Sequence, residues 1–464
     1  MASVPSPIDN PPATDSGDLP GTPHDGLEAE MDRDGTTAAA AMPSTSHAAA
    51  QSDPLSASWG NEPLSEAARK KVARILAACR DRDLEALSDL ATSKGGLVED
   101  EVRRAAWPIL LACDHQPRPT SVDWSRLERH RDEDQVELDV HRSFVYYPEN
   151  ESRQRLDARK GELSNVITAV LRQHPILCYF QGYHDIVQVL LLVLGADAAV
   201  SAVARLSLLR IRDFMLPTLA AAECHLHLLP AILYSADKTL YQHLSGATQP
   251  TPFFALAATL TLYAHDIEEY GDIARLFDYL LASEAAVPVY LFAVIVISRK
   301  KELLEIDHDE PEMLHSILSK LPKPLDLEGL ITRTQALFKQ CPPERLPNRA
   351  WSRISSYSVL KTTRVPQALA AQTLEDGEKL FEKQASEIRR QEQLKLVRHR
   401  ASALAYRYRR SVGWTSAAVL VALLALYYGR SGAAGNFDGW STLASTVKYR
   451  MVEMARKISS AKWR

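Results

Sequence analysis

Between residues 64 and 345 apolar side chains recur every three or four positions and almost never every two. Leu64, Ala67, Ala68, Val72, Ile75 and Leu76 keep this spacing, and so do Leu163, Val166, Ile167, Val170 and Leu171. A helix closes a turn in about 3.6 residues, so this period gathers apolar groups on one face, whereas a half-buried strand needs strict alternation. The segment must therefore pack helix against helix. Pro108, Pro117, Pro148, Pro175, Gly195, Pro217, Pro230, Pro250 and Pro288 interrupt it, predicting helices of ordinary length. A chain of 464 residues with 46% apolar side chains has room for two or three domains and at least one large core. The expectation is an all-α domain over 64–345, without a long internal repeat. Within it, the apolar run Phe253 to Ala264 is too short to cross a bilayer and reads as core.

The flanks differ in character. Residues 1–60 are rich in Pro, Ala, Ser, Thr, Gly and Asp and poor in large apolar groups, so burial cannot offset chain entropy and disorder is expected. No apolar stretch follows a basic start there, which argues against a secretory signal and for a cytosolic beginning. Residues 374–410 carry dense charge, acidic and then basic through Arg389, Arg390, Lys395, Arg398, Arg400, Arg407, Arg409 and Arg410, and 346–411 is predicted to be a charged helical linker. Val412 to Gly429 is uncharged, and a helix of that length rises about 27 Å, matched to a thin bilayer such as that of the endoplasmic reticulum. Tyr406, Tyr408 and Trp414 stand near one end and Tyr427 and Tyr428 at the other, as interfacial belts do, so 412–429 is predicted to be a transmembrane helix with the basic side cytosolic. In 430–464, Phe437, Trp440, Leu443, Val447, Met451, Met454 and Ile458 recur at helical spacing among basic residues, predicting an amphipathic interfacial tail. It is lumenal if 412–429 crosses once, and cytosolic if that segment is re-entrant.

Several chemistries are excluded. A formal charge of -4 gives no basic excess for nucleic acid. The five cysteines, Cys79, Cys113, Cys178, Cys224 and Cys341, lack paired spacing and read as reduced thiols. Cys224, His225 and His227 have no second cluster to complete a metal site, and His265-Asp266-Ile267-Glu268-Glu269 lacks the second histidine of a zincin helix. The sequon at Asn150 would lie on a cytosolic domain, out of reach of the transferase. No glycine-rich phosphate cradle occurs, so the chain would bind no nucleotide or cofactor of its own.

Three stretches stand out in order: Arg103-Arg104-Ala105-Ala106-Trp107-Pro108, then Val136 to Arg142 with Asp139 three before Arg142, then Tyr179-Phe180-Gln181-Gly182. Together they resemble the ordered motifs of the TBC family of Rab GTPase-activating proteins, and the similarity runs on through Arg212-Asp213-Phe214-Met215, Ala274 to Asp278 and Pro288-Val289-Tyr290. The continuation Gln181-Gly182-Tyr183-His184-Asp185-Ile186 is most similar to the endoplasmic-reticulum-anchored branch. Val136 stands where the family usually has Ile, and Leu276 where many members have Trp.

The resemblance implies an activator rather than an enzyme. Arg142 would spread the charge developing on a Rab's transferred phosphoryl group and Gln181 would hold the attacking water, both supplied in trans. GTP and magnesium would be the Rab's. Asp139, one helical turn before Arg142, is placed to restrain it, Tyr179 would pack beneath Gln181 or touch the Rab, and Arg103 and Trp107, four apart on one helical face, would support the fold. Membrane lipid would be a second partner, on an endoplasmic reticulum or early Golgi membrane with the domain facing the cytosol, acting on a Rab of transport between them. The alternatives are a catalytically silent Rab effector or tether of the same fold, and a membrane-shaping helical protein acting through its tail.

Overall fold

The computed structural model describes residues 64–114, 123–148, 151–247, 251–307 and 309–430, with three isolated positions beyond; side chains at 246–247, 404–405, 407–418 and 425–430 are not included. The expectations for 1–60, for the 430–464 tail and for Asn150 lie outside the described residues. Among these residues every regular element is helical and none is a strand.

The first seven helices are α1 (Glu66–Asp81), α2 (Leu84–Thr92), α3 (Asp100–Leu110), α4 (Glu133–His141), α5 (Arg153–Gln173), α6 (Tyr183–Leu194) and α7 (Ala196–Leu209). Side-chain oxygens set several starts by accepting first-turn N–H groups that have no helical partner: Ser65 from Ala68, Asp83 from Ala86 and Ser152 from Arg155. The expected proline breaks fall partly inside helices. Pro288 and Pro230 occupy first turns, where a missing N–H costs no helical bond, and Pro108 sits in the last turn of α3, which ends at Leu110.

Two helices are apolar nearly all round and therefore central: α6, buried from Ile186 to Val193, and Val287–Ser298, buried from Val289 to Val296. α5 and α7 pack against α6, and α4 lies across α5 and α6. Gln181 thus precedes the first residues of a buried helix, and Arg142 closes one that rests on it. Phe254 to Ala264 contributes Phe254, Leu260, Leu262 and Tyr263 to this core. Val136 and Leu276, the two departures from the family pattern, are both fully buried.

The packed domain extends beyond residue 345, correcting the expected boundary. Leu346, Ile354, Val359, Leu360, Leu369, Phe381 and Ala385 all join the core. Residues 346–373 are short turns and helices rather than a charged linker, and their irregular carbonyls need donors. Three arginines supply them: Arg205 donates to Leu369 and Gln372, Arg210 to Thr363 and Arg364, and Arg212 to Tyr357. The expected linker and membrane segment form one continuous helix, Leu374–Arg430, whose first turns pack on α7. Among the described residues no helix is long and apolar enough to cross a membrane.

Candidate functional site

α4 ends at Arg142, whose N–H bonds the carbonyls of Asp139 and Val140, and Lys160 Nζ donates to the free carbonyl of His141 at 2.6 Å. The following turn reverses sharply through Phe144 at φ +59°, where the Phe144 N–H donates to Gln188 Oε1 on α6 at 2.9 Å. On the other side, Gly182 at φ +97° is the N-cap of α6. These two turns bring Arg142 and Gln181 to one groove of about 660 Å³, which is also lined by Asp139, Tyr146, His184 and His265.

Arg142 is 66% exposed, while the carboxylate that holds it, Asp139, is 1% exposed. Asp139 accepts from Arg142 Nη2 at 2.9 Å, Gln135 Nε2 at 3.0 Å and the Tyr179 hydroxyl at 2.9 Å. One guanidinium edge is thereby anchored, and Nε makes only a long 3.4 Å contact to the Leu138 carbonyl. Among the described residues no partner takes the other guanidinium donors. Gln181 is exposed, and among the described residues nothing bonds its carboxamide. Tyr179 is half-buried, its ring edge against Tyr183 and its backbone N–H on Asp132. Burial and the neighbouring Asp139 carboxylate raise the Tyr179 pKa, so the phenol keeps its proton and donates.

Arg103 and Trp107 lie elsewhere. Both are buried and meet on Asp278: Trp107 Nε1 donates at 2.8 Å and Arg103 Nε at 3.0 Å, and Arg103 Nη1 also reaches Asp100 at 2.8 Å. They present no surface to a partner. His225 is engaged by Asp213 at 2.8 Å and His227 by the Glu223 carbonyl. The five cysteines are unpaired, and burial lifts Cys113 to about 11.

The sequence shows His184 and Asp185 in a branch motif and His265 in an incomplete zincin pattern without assigning them to the site, and Gln188 carries no signal. His265 Nδ1 pairs with Asp185 Oδ2 at 2.9 Å at the groove edge, across 80 positions that carry no local signal of the contact. Exposed Val145, Tyr146, Leu219 and Phe253 add an apolar rim.

Comparison with known proteins gives the following. Residues 100–304 match the Rab-GTPase-TBC domain. TBC1 domain family member 20 of Bos taurus is 37% identical over 284 residues, spanning 61% of this chain and 70% of that protein. GTPase-activating protein gyp10 of Schizosaccharomyces pombe is 33% identical over 318 residues, spanning 68% and 83%. Among solved structures, the Ypt/Rab-GAP domain of Gyp1p is 14% identical, with 58% of this chain and 98% of that chain covered at a TM-score of 0.48.

Proposed function

The chain belongs to the Rab-GTPase-TBC domain family, and from that premise we propose that it accelerates GTP hydrolysis on a Rab GTPase by lending Arg142 and Gln181 to the partner's nucleotide. The observation that carries this reading is the pairing of an exposed guanidinium and an exposed carboxamide on one groove, each positioned from buried structure. A guanidinium anchored by one edge keeps further N–H donors for phosphoryl oxygens. As charge shifts during in-line attack by water, Arg142 stabilises the equatorial and leaving oxygens, and Gln181 orients the nucleophile through its carbonyl and amide. The products are GDP and inorganic phosphate, with magnesium and nucleotide held by the Rab throughout. Val145, Tyr146, Leu219 and Phe253 supply apolar surface for the partner to cover.

The chain acts at a membrane of the early secretory pathway, held by 412–429, on a Rab of endoplasmic-reticulum-to-Golgi transport. The support is the uncharged 412–429 stretch, the basic residues before it, and exposed Val419, Leu420, Leu423 and Leu424 on the continuous helix.

Single-turnover hydrolysis by a panel of GTP-loaded Rabs, with the full chain in detergent, tests the reading. Wild type accelerates at least one Rab, and Arg142→Ala and Gln181→Ala each lower that acceleration by roughly 10³. Binding without acceleration would make the chain an effector instead. Resistance to alkaline extraction from membranes, lost when 412–429 is deleted, checks the anchor.

A further inference from the structure

A path of polar contacts runs along the floor of the groove. From Arg142 it passes to Asp139, then to the Tyr179 hydroxyl, which also stands 3.1 Å from His184 Nδ1. His184 Nε2 lies 3.3 Å from Asp185 Oδ1, and Asp185 Oδ2 meets His265 Nδ1 at 2.9 Å. The two ends of the path belong to the end of α4 and to the segment after Leu256–Leu260, and its middle passes between Tyr179 and the first turn of α6, which follows Gln181 in the chain.

Each hydrogen bond along the path needs one proton. Tyr179 has one, and Asp139 takes it, because a carboxylate has none to give. The phenolic oxygen is then an acceptor toward His184 and needs a proton on Nδ1. His184 Nε2 is near Asp185 Oδ1 at 3.3 Å without a hydrogen bond between them, so this proximity does not fix a proton on Nε2. The Nδ1–H tautomer and the doubly protonated ring both fill the contact to Tyr179, whereas the neutral Nε2–H tautomer sets a lone pair against the phenolic oxygen.

We infer that His184 is a positioning residue for Arg142: with Nδ1 protonated, it fixes the Tyr179 hydroxyl on Asp139 and so ties the arginine at the end of α4 to the helix that begins beside Gln181. The inference rests on the function proposed for Arg142 and Gln181. His184 does not reach the phosphates and acts through Tyr179 and Asp139.

The groups facing the ring are Asp139 and Arg142 from α4, Tyr179 from the preceding turn, Asp185 from its own helix and His265 from the facing segment. Burial holds the His184 pKa below the ordinary value of 6.5, against the pull of Asp185 and Asp139, with His265 and Arg142 adding repulsion. His265 is raised by its bond to Asp185. The doubly protonated ring therefore gains population as pH falls below the usual histidine range, and the tie on Arg142 tightens in that direction.

Two substitutions separate the ring's contacts. An asparagine amide nitrogen falls near the place of Nδ1, and a glutamine amide nitrogen near that of Nε2. Single-turnover assays with saturating and limiting Rab, using the full chain, compare His184→Asn and His184→Gln between pH 6.0 and 7.5. His184→Gln lowers the maximal rate about tenfold and leaves the half-saturating Rab concentration within about twofold, as expected when geometry rather than docking is lost. His184→Asn restores the rate at pH 7.5 and removes the rise that wild type shows toward pH 6.0. Equal rates for the two variants, or a rate and a half-saturation that move together, would overturn the inference.

Nitrogen NMR of histidine-labelled full chain, with His184 assigned by its loss in the asparagine variant, reads the ring without any Rab. A proton on Nδ1 is expected, in the neutral Nδ1–H tautomer or in the doubly protonated ring. A ring that stays neutral and protonated only on Nε2 overturns the inference. If wild type accelerates no Rab, the proposed function falls, and this spectrum still decides the state of the ring.

Discussion

Gly182 carries a backbone conformation on which the residue before it depends. Its φ of +97° is open to glycine and strained for other residues, and a Cβ built there would stand 2.5 Å from Thr261 Cγ2. Gly182→Ala therefore has to move either the turn or the facing segment. The expected cost is roughly 1–3 kcal/mol, read from urea denaturation midpoints. The loss of Rab acceleration should exceed what that stability change explains, because Gln181 is displaced with the turn. A wild-type midpoint would mean that Thr261 yields without strain. The contrast with Asp139 is useful: that side chain is buried and triply bonded, so Asp139→Ala frees Arg142 while also stranding Gln135 and Tyr179 as unpaired donors. Its rate and its stability should fall together.

At the scale of elements, α4 matters more than its length suggests, since its last turn carries the arginine. It is pinned at its other end by Glu133, which accepts from Arg172 of α5 at 2.7 and 2.8 Å and from the His130 N–H at 2.6 Å. The Arg172 bonds, helped by that backbone N–H and opposed by burial, hold the Glu133 carboxyl at about 2 instead of 4.5. A group held low contributes stability that is complete above its ordinary pKa and is lost as pH falls through the folded one. The wild-type advantage over Glu133→Gln should thus be about 1–3 kcal/mol at pH 7 and shrink between pH 4.5 and about 2. Denaturant titrations at stepped pH check it, and a difference that is constant with pH would remove the clamp from the account. α6 shows the complementary case. Its near-continuous burial makes it a fixed axle on which the Gln181 turn is mounted.

For the whole molecule, the join between the N-terminal helices and the later ones passes through Asp278. That fully buried carboxylate accepts from Arg103, from Trp107 and from the Leu97 N–H, while Asp100 takes the Tyr270 hydroxyl. Removing one member of a buried, bonded ion pair leaves the other charge without compensation, so Asp278→Ala should cost about 3–5 kcal/mol in equilibrium unfolding. A change under about 1 kcal/mol would contradict the network's structural role. Helical class, the ordered motifs and the Arg103–Trp107 face were legible in the chain because each is a property of residues a few positions apart, where backbone geometry alone decides which side chains are neighbours. Asp278 stands 171 and 175 positions from Trp107 and Arg103, and no local period announces it. The domain boundary failed for the same reason. Residues 346–373 supply Leu346, Ile354, Val359, Leu360 and Leu369 to the core, where Arg205, Arg210 and Arg212 satisfy their carbonyls from distant positions in the chain. By itself, then, the sequence determined that the domain would be helical, since that depends on short-range sterics and hydrogen bonding, and it marked Arg142 and Gln181 as candidates. Only tertiary packing decided that Arg142 and Gln181 share a groove with His184 and His265, because such contacts arise from the summed burial of distant segments.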